Sequence, residues 1–234
     1  MTQNDEYILK VKKLNVTLQN QTILNNLSFN VKKGSSLAIL GPNGAGKSVL
    51  LRTILKRIPY TGEIEWTEKT RIGYVPQNVS VSDVPMTVRE FLSMGKAVDL
   101  KESLKLVRIT DTNILNKRLG VISGGQLRRI LIAWALNDKP NVLLLDEPTT
   151  GVDMDSEEPI YFMLDDLKKS WEMTIFLITH DIHIVQEYTD TLLAINRCIT
   201  FYGPSAEIAK PATQKLIYGE PVCVETLKGE KQNH

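Results

Sequence analysis

One run constrains this chain more than any other: Gly41-Pro42-Asn43-Gly44-Ala45-Gly46-Lys47-Ser48, which fits the pattern GxxxxGK[ST]. Glycines let the backbone curl so that successive N–H groups point inward as an anion nest. Before the run, Leu37-Ala38-Ile39-Leu40 is apolar throughout, as in a strand buried on both faces. After it, Val49 to Ile58 reads as a helix whose positive N-terminal end adds to the nest. In such a loop Lys47 reaches the β- and γ-phosphates of a nucleotide, and the Ser48 hydroxyl binds Mg²⁺. A glycine turn with a solvated lysine is the plain alternative, and the strand before and helix after weigh against it.

Two further stretches carry chemistry. Val142-Leu143-Leu144-Leu145 is a buried strand that delivers Asp146 and Glu147 at its C-terminal edge, where ligands bind in open α/β sheets. Asp146 is expected to hold Mg²⁺, and Glu147 to polarise an attacking water as general base. Alone, this pair would read equally well as a solvated turn. Ser123-Gly124-Gly125-Gln126 opens a helix. Ser123 can cap it and also donate to an anion, while the glycines allow a close approach. A plain N-cap is the alternative here. A second anion-seeking helix end suggests a second face of the site, supplied by another copy of the chain.

Around these motifs, residues 7–17 and 22–31 look like half-buried antiparallel strands, and Gly62 to Trp66 and Arg71 to Val75 like further strands. From Gln77 to Ile122 the spacing turns helical, with Thr87 as a cap before Val88, Phe91 and Leu92. The helix after Ser123 is expected to bury Leu127, Ile130, Leu131 and Trp134 on one face. Helices near 157–170 and 182–188 alternate with strands Thr174 to Thr179 and Leu192 to Ile195, which argues for a parallel sheet covered by helices. Beyond Gly203, Pro204, Pro211, Gly219 and Pro221 break the chain into short pieces.

Charge and composition exclude some functions. Lys and Arg total 28 against 27 Asp and Glu, so no basic excess grips nucleic acid. The start, MTQNDEYILK, lacks the basic and apolar regions of a secretory signal. No window approaches the ~20 apolar residues needed to cross a bilayer, so a membrane connection is expected through a partner. Cys198 and Cys223 have no CxxC spacing and read as free thiols of a reducing cytosol. His180, His183 and His234 form no ligand cluster with them.

The order GPNGAGKS, Gln77, ISGGQ, Val142-Leu143-Leu144-Leu145-Asp146-Glu147-Pro148, Asp153 and His180 resembles the ATP-binding subunit of ABC transporters over about residues 7–210. The resemblance implies an α/β P-loop NTPase fold of ABC type: a mixed sheet core, an antiparallel β subdomain and a small α-helical subdomain. It implies one ATPase domain over 1–234, with core segments 1–76 and 123–210, a helical subdomain 77–122 and a C-terminal tail 211–234. Gln77 resembles the Q-loop glutamine, a Mg²⁺ or water ligand that senses nucleotide. Asn78 to Met94 resembles the surface that receives a permease's coupling helix. Ser123 to Gln126 resembles the signature motif that contacts the γ-phosphate held by the opposite subunit. Asp153 resembles the D-loop aspartate of the dimer interface, and His180 the switch histidine bonded to the γ-phosphate. ATP and Mg²⁺ are the implied cofactors. The implied partners are a second copy in the ATP-bound state, membrane permease subunits and, indirectly, an external substrate-binding protein. The implied location is peripheral, at the cytoplasmic face of the membrane.

Four positions depart from the family pattern. Leu18 stands where an aromatic residue usually stacks on adenine, and it offers no π-face. Val49 replaces a threonine near the α-phosphate, Ile122 a leucine and Trp134 an arginine. Hydrolysis is expected to survive these changes, with weaker nucleotide affinity. RIGYVPQ, VPMTVREF, DEPTTGVD and THDIHIV look most like ATPases of bacterial zinc and manganese importers. Siderophore uptake, export, and a soluble ATPase of iron–sulphur assembly are the alternatives.

Overall fold

The computed structural model describes residues 6–77, 79, 81, 85–94, 99–150, 154–219 and 222–224, without the side chains of 154–156. The chain divides into two compact units, one made of Met1–Lys69 and Ile178–His234, the other of Thr70–Leu177.

In the first unit, β1 (Tyr7–Leu18) pairs antiparallel with β2 (Gln21–Lys32) and with β4 (Thr61–Trp66). Gln19 and Asn20 join β1 to β2 with φ of 48° and 62°, the two left-handed residues of a type I′ hairpin turn. The buried residues Val11, Leu14 and Val16 do not keep a spacing of two. The extra residue between Val11 and Leu14 is taken up by a register shift, with Lys13 at φ 47°. Such a bulge keeps both leucine and valine on the buried face. Gly62 of β4 lies against it: a Cβ there would sit 2.3 Å from the Lys13 carbonyl oxygen.

The same unit holds β3 (Ser36–Leu40), buried at every position and parallel to β8 (Thr191–Asn196), which pairs antiparallel with β9 (Cys198–Pro204). Helix α1 (Lys47–Ile54) follows β3 and stops four residues before the expected Ile58. Lys56, at φ 57°, ends it: its N–H reaches the Thr53 carbonyl, and the Arg57 N–H reaches back to Arg52. That is the Schellman arrangement, here with lysine where glycine would have signalled it. Residues 204–219 are also more ordered than their prolines suggest. Pro211 opens helix α7 (Pro211–Tyr218) at the one turn where its missing N–H costs nothing. Ile217 of α7 joins Ala38, Leu40, Leu192 and Ala194 in a core with Val185 of α6 (Ile182–Tyr188).

The free-thiol reading is overturned. Cys198 is bonded to Cys223 across a Cα–Cα distance of 5.6 Å. The neighbouring Val224 N–H donates to the Ile199 carbonyl at 2.8 Å, so residues 222–224 run beside β9. Spacing could not show this pairing, because it comes from the fold bringing together residues 25 apart in the chain.

In the second unit, β5 (Ile72–Val75), β6 (Val142–Asp146) and β7 (Thr174–Ile178) are neighbours in that order, β5 and β6 being parallel. Every position of β6 is buried, as its apolar run requires. Helix α2 (Val88–Leu92) begins with a capping box in which Thr87 and Glu90 satisfy each other's backbone N–H. Helices α3 (Leu100–Leu106), α4 (Gly124–Leu136) and α5 (Met154–Trp171) complete the unit, with 3₁₀ turns at Thr112–Asn116 and Leu119–Val121. On α4, Ile130 and Leu131 are buried as expected, but Trp134 is 40% exposed and lies against Phe91 of α2, ring centroids 5.7 Å apart. Arg128 is buried on α4 instead.

The disulfide predicts a simple result. Closing a loop over a separation of 25 residues stabilises a fold by about 3 kcal/mol. Thiol titration of the unfolded, unreduced protein should find no free thiol. Cys223→Ser should lower the unfolding free energy by roughly that amount; two titratable thiols and an unchanged stability would contradict the pairing.

Candidate functional site

The first unit positions the glycine loop. Three of its glycines have left-handed backbone: Gly41 (φ 147°), Gly44 (φ 78°) and Gly46 (φ 98°). The reasons differ. A Cβ on Gly41 would stand 2.0 Å from the Ile195 carbonyl oxygen, and one on Gly46 2.6 Å from Leu24 Cδ2, whereas Gly44 meets nothing within 4 Å. Gly41 is therefore required by close packing against backbone, Gly46 by its dihedral beside the end of the Leu24 side chain, and Gly44 by its dihedral alone. The turn between β8 and β9 braces the loop: the Arg197 N–H donates to the Ala45 carbonyl, and the Arg197 carbonyl accepts from Asn25.

Lys47 is 7% exposed and its ammonium donates to the carbonyls of Gly41 (2.8 Å) and Pro42 (3.1 Å). The lysine is thus held over its own loop, at the place where phosphate oxygens would gather. Gly46 caps α1 with no side-chain bond to the first N–H groups, the arrangement of a helix end that takes an anion. Ser48 and Val49 are half-buried in the first turn, while Pro42, Asn43 and Gly44 are exposed. Leu18 is half-buried at the end of β1. His180 is exposed just before α6, whose cap is Asp181, accepting from the N–H groups of His183 and Ile184.

The second unit positions the carboxylates. Asp146 ends β6 and is 2% exposed. Glu147 follows at φ 49°, a left-handed backbone that is costly for a side chain with a Cβ. One oxygen of its carboxylate, Oε2, accepts from the Gln77 amide and from the Thr150 hydroxyl, the latter at 3.0 Å. Gln77 and Glu147, predicted separately, are thereby brought together. Ser123 and Gln126 form a capping box on α4: the serine hydroxyl accepts the Gln126 N–H at 3.2 Å, and the glutamine amide oxygen accepts the Ser123 N–H at 3.1 Å. Gly124 is exposed and Gly125 buried. Asp153 lies outside the described residues.

Arg128 is the functional candidate the sequence reading missed. Its guanidinium donates to the carbonyls of Pro76 (2.9 Å), Gln77 (2.6 Å) and Thr150 (3.4 Å). Burial lowers its pKa from the ordinary value, while attraction to Asp146 and Glu147 raises it. The signal was an arginine at i−3, i−4 and i−7 from the buried Leu131, Ile132 and Ala135, on one face of α4. Among the described residues, no group of three His, Cys, Asp or Glu is placed to hold a metal ion, and no helix is long and apolar enough to cross a membrane.

Known proteins are similar to this chain along most of its length. A sequence family described as ABC transporter matches residues 24–150. The zinc import ATP-binding protein ZnuC of Haemophilus influenzae is 33% identical over 224 residues, covering 94% of this chain and 84% of that protein. ZnuC of Yersinia pseudotuberculosis is 35% identical over 230 residues, covering 97% and 90%. Among solved structures, a transporter proposed to be of metal-chelate type, in an inward-facing conformation, superposes with a TM-score of 0.79 at 28% identity over 90% of this chain and 88% of that one. CbiO1 of Clostridium perfringens, part of the CbiONQ transporter complex, gives 0.74 at 28% identity over 89% and 93%. A nucleotide-free ATP-binding cassette from an ABC transporter gives 0.78 at 23% identity, a likeness of fold.

The loop geometry predicts unequal glycines. Gly41→Ala should destabilise the fold by more than about 3 kcal/mol, since backbone must move. Gly44→Ala should cost only the left-handed backbone, about 1 kcal/mol. Denaturant unfolding of both variants measures the difference; equal costs would contradict the close approach at Ile195.

Proposed function

From a chain that belongs to the ABC transporter family and is its ATPase, we propose a machine that pairs with a second copy around ATP and drives a membrane permease importing zinc or manganese. The observation that carries the cargo is kinship along nearly the whole chain with zinc import ATP-binding proteins. In this reading a permease and an external binding protein choose the ion, and this subunit supplies the energy.

The roles follow the chemistry of each residue. The loop from Gly41 to Ser48 binds phosphate oxygens through backbone N–H groups and the α1 N-terminus, and Lys47 neutralises the β- and γ-phosphates. Leu18 packs against the adenine, and Val49 lies near the α-phosphate. Ser48, Gln77 and Asp146 offer hydroxyl, amide and carboxylate oxygens, hard donors of the kind Mg²⁺ takes, and a bound Mg²⁺ screens the phosphate charge. Glu147 takes the proton of the attacking water, oriented by Gln77 and Thr150. His180 bonds the γ-phosphate from the same copy, and Ser123, Gly124 and Gly125 from the other. Gln126 fixes Ser123 through the capping box. Asp153 serves the contact between copies. Such a pairing has two-fold symmetry, and ATP stabilises it by binding the closed state better than the open one. Hydrolysis removes the bridging phosphate, the copies part, and residues 78–94 carry the movement to the permease at the cytoplasmic face of the membrane.

Two linked measurements test the proposal. Glu147→Gln should bind ATP and accumulate as a nucleotide-loaded dimer with turnover reduced at least about 100-fold; wild-type turnover would remove Glu147 as base. Vesicles carrying the chain with its permease should take up zinc or manganese when given ATP. ATP-driven uptake of a metal chelate, with neither free ion moved, would favour the siderophore reading instead.

A further inference from the structure

The carboxylate of Glu147 depends on two donors from two loops. Gln77 follows β5, Thr150 follows β6, and both bond the same oxygen. Glu147 itself stands on left-handed backbone just past the end of its strand, where no ladder of sheet hydrogen bonds fixes it. The donors are only as well placed as the main chain that carries them.

Arg128 ties that main chain together. One guanidinium, on a residue 7% exposed, spans the carbonyls of Pro76, Gln77 and Thr150. Its donors form a rigid planar fork, so one side chain can fix carbonyls from two segments at set angles, which lysine or an aliphatic residue cannot. Packing alone does not call for it. The neighbouring buried residues of α4 are aliphatic, and a buried charge is a poor source of net stability compared with an apolar side chain of like volume.

We propose that Arg128 is a positioning residue for ATP hydrolysis: it clamps the backbone at Gln77 and Thr150 so that their side chains hold the Glu147 carboxylate in line with the attacking water. The inference rests on Glu147 being the general base.

The test is steady-state hydrolysis by the whole 234-residue chain. Arg128→Met should lower kcat about 100-fold, the cost of a misplacement near 1 Å, with the KM for ATP within about threefold of wild type. Arg128→Lys keeps the charge without the fork and should recover only part of the rate. Thr150→Val removes one donor and should lower kcat by about tenfold with the same unchanged KM. In a Glu147→Gln background, Arg128→Met should lower the residual rate by less than about twofold, because both act on one step. Thermal unfolding shows which variants fold, and Arg128→Lys and Thr150→Val decide the matter if Arg128→Met does not. Wild-type kcat in a folded variant, a loss confined to KM, or a full additive loss in the Glu147→Gln background would overturn the clamp. If Glu147→Gln itself turned over normally, the base assignment would fall and the clamp with it; if Glu147→Gln is inactive while Arg128→Met keeps its kcat, the clamp alone falls.

Discussion

The glycine loop runs so close to the β8 backbone at Gly41 that no side chain fits there, and that constraint organises the first unit. Gly41 lies where a Cβ would overlap the Ile195 carbonyl, and Gly46 where it would overlap Leu24. The loop is therefore packed against β8 and β2 before any nucleotide arrives. Lys47 completes this preorganisation. Its ammonium is buried against the Gly41 and Pro42 carbonyls, so its charge is already at the rim of the nest. Folding, not the ligand, meets the cost of gathering these groups.

The second unit solves a different problem. A general base needs one orientation, and the strand that delivers Glu147 ends one residue too soon to fix it. Polar contacts supply what the ladder does not. The Gln77 amide and Thr150 hydroxyl hold one carboxylate oxygen, and the Arg128 guanidinium holds the backbone of both. Burial of the Arg128 guanidinium is tolerable because the Pro76, Gln77 and Thr150 carbonyls satisfy its donors.

How much of this the sequence carried depends on where each signal lies. The glycine loop, the apolar strand before Asp146 and the Ser123 cap are local patterns, and each stands in the structure where its pattern put it. The short α1 was misjudged because Lys56 adopts the left-handed cap that glycine usually announces. Prolines after Gly203 read as breaks, but Pro211 starts a helix whose Ile217 is core. The Cys198–Cys223 pair and the reach of Arg128 to Gln77 and Thr150 join residues distant in the chain. Only the fold brings such residues together, so no spacing rule could reveal them. Trp134 had the periodicity of the buried face of α4, yet its partner is Phe91 at the surface.

Every later step of the proposed cycle depends on capture of a triphosphate by the loop and its lysine. Calorimetric titration of Mg·ATP into the wild-type chain and into Lys47→Ala measures this directly. Saturable binding by the wild type, weakened about 100-fold by a substitution that removes a charged hydrogen-bond donor, is the predicted result. Equal affinity of the two proteins, or no binding by either, would contradict it.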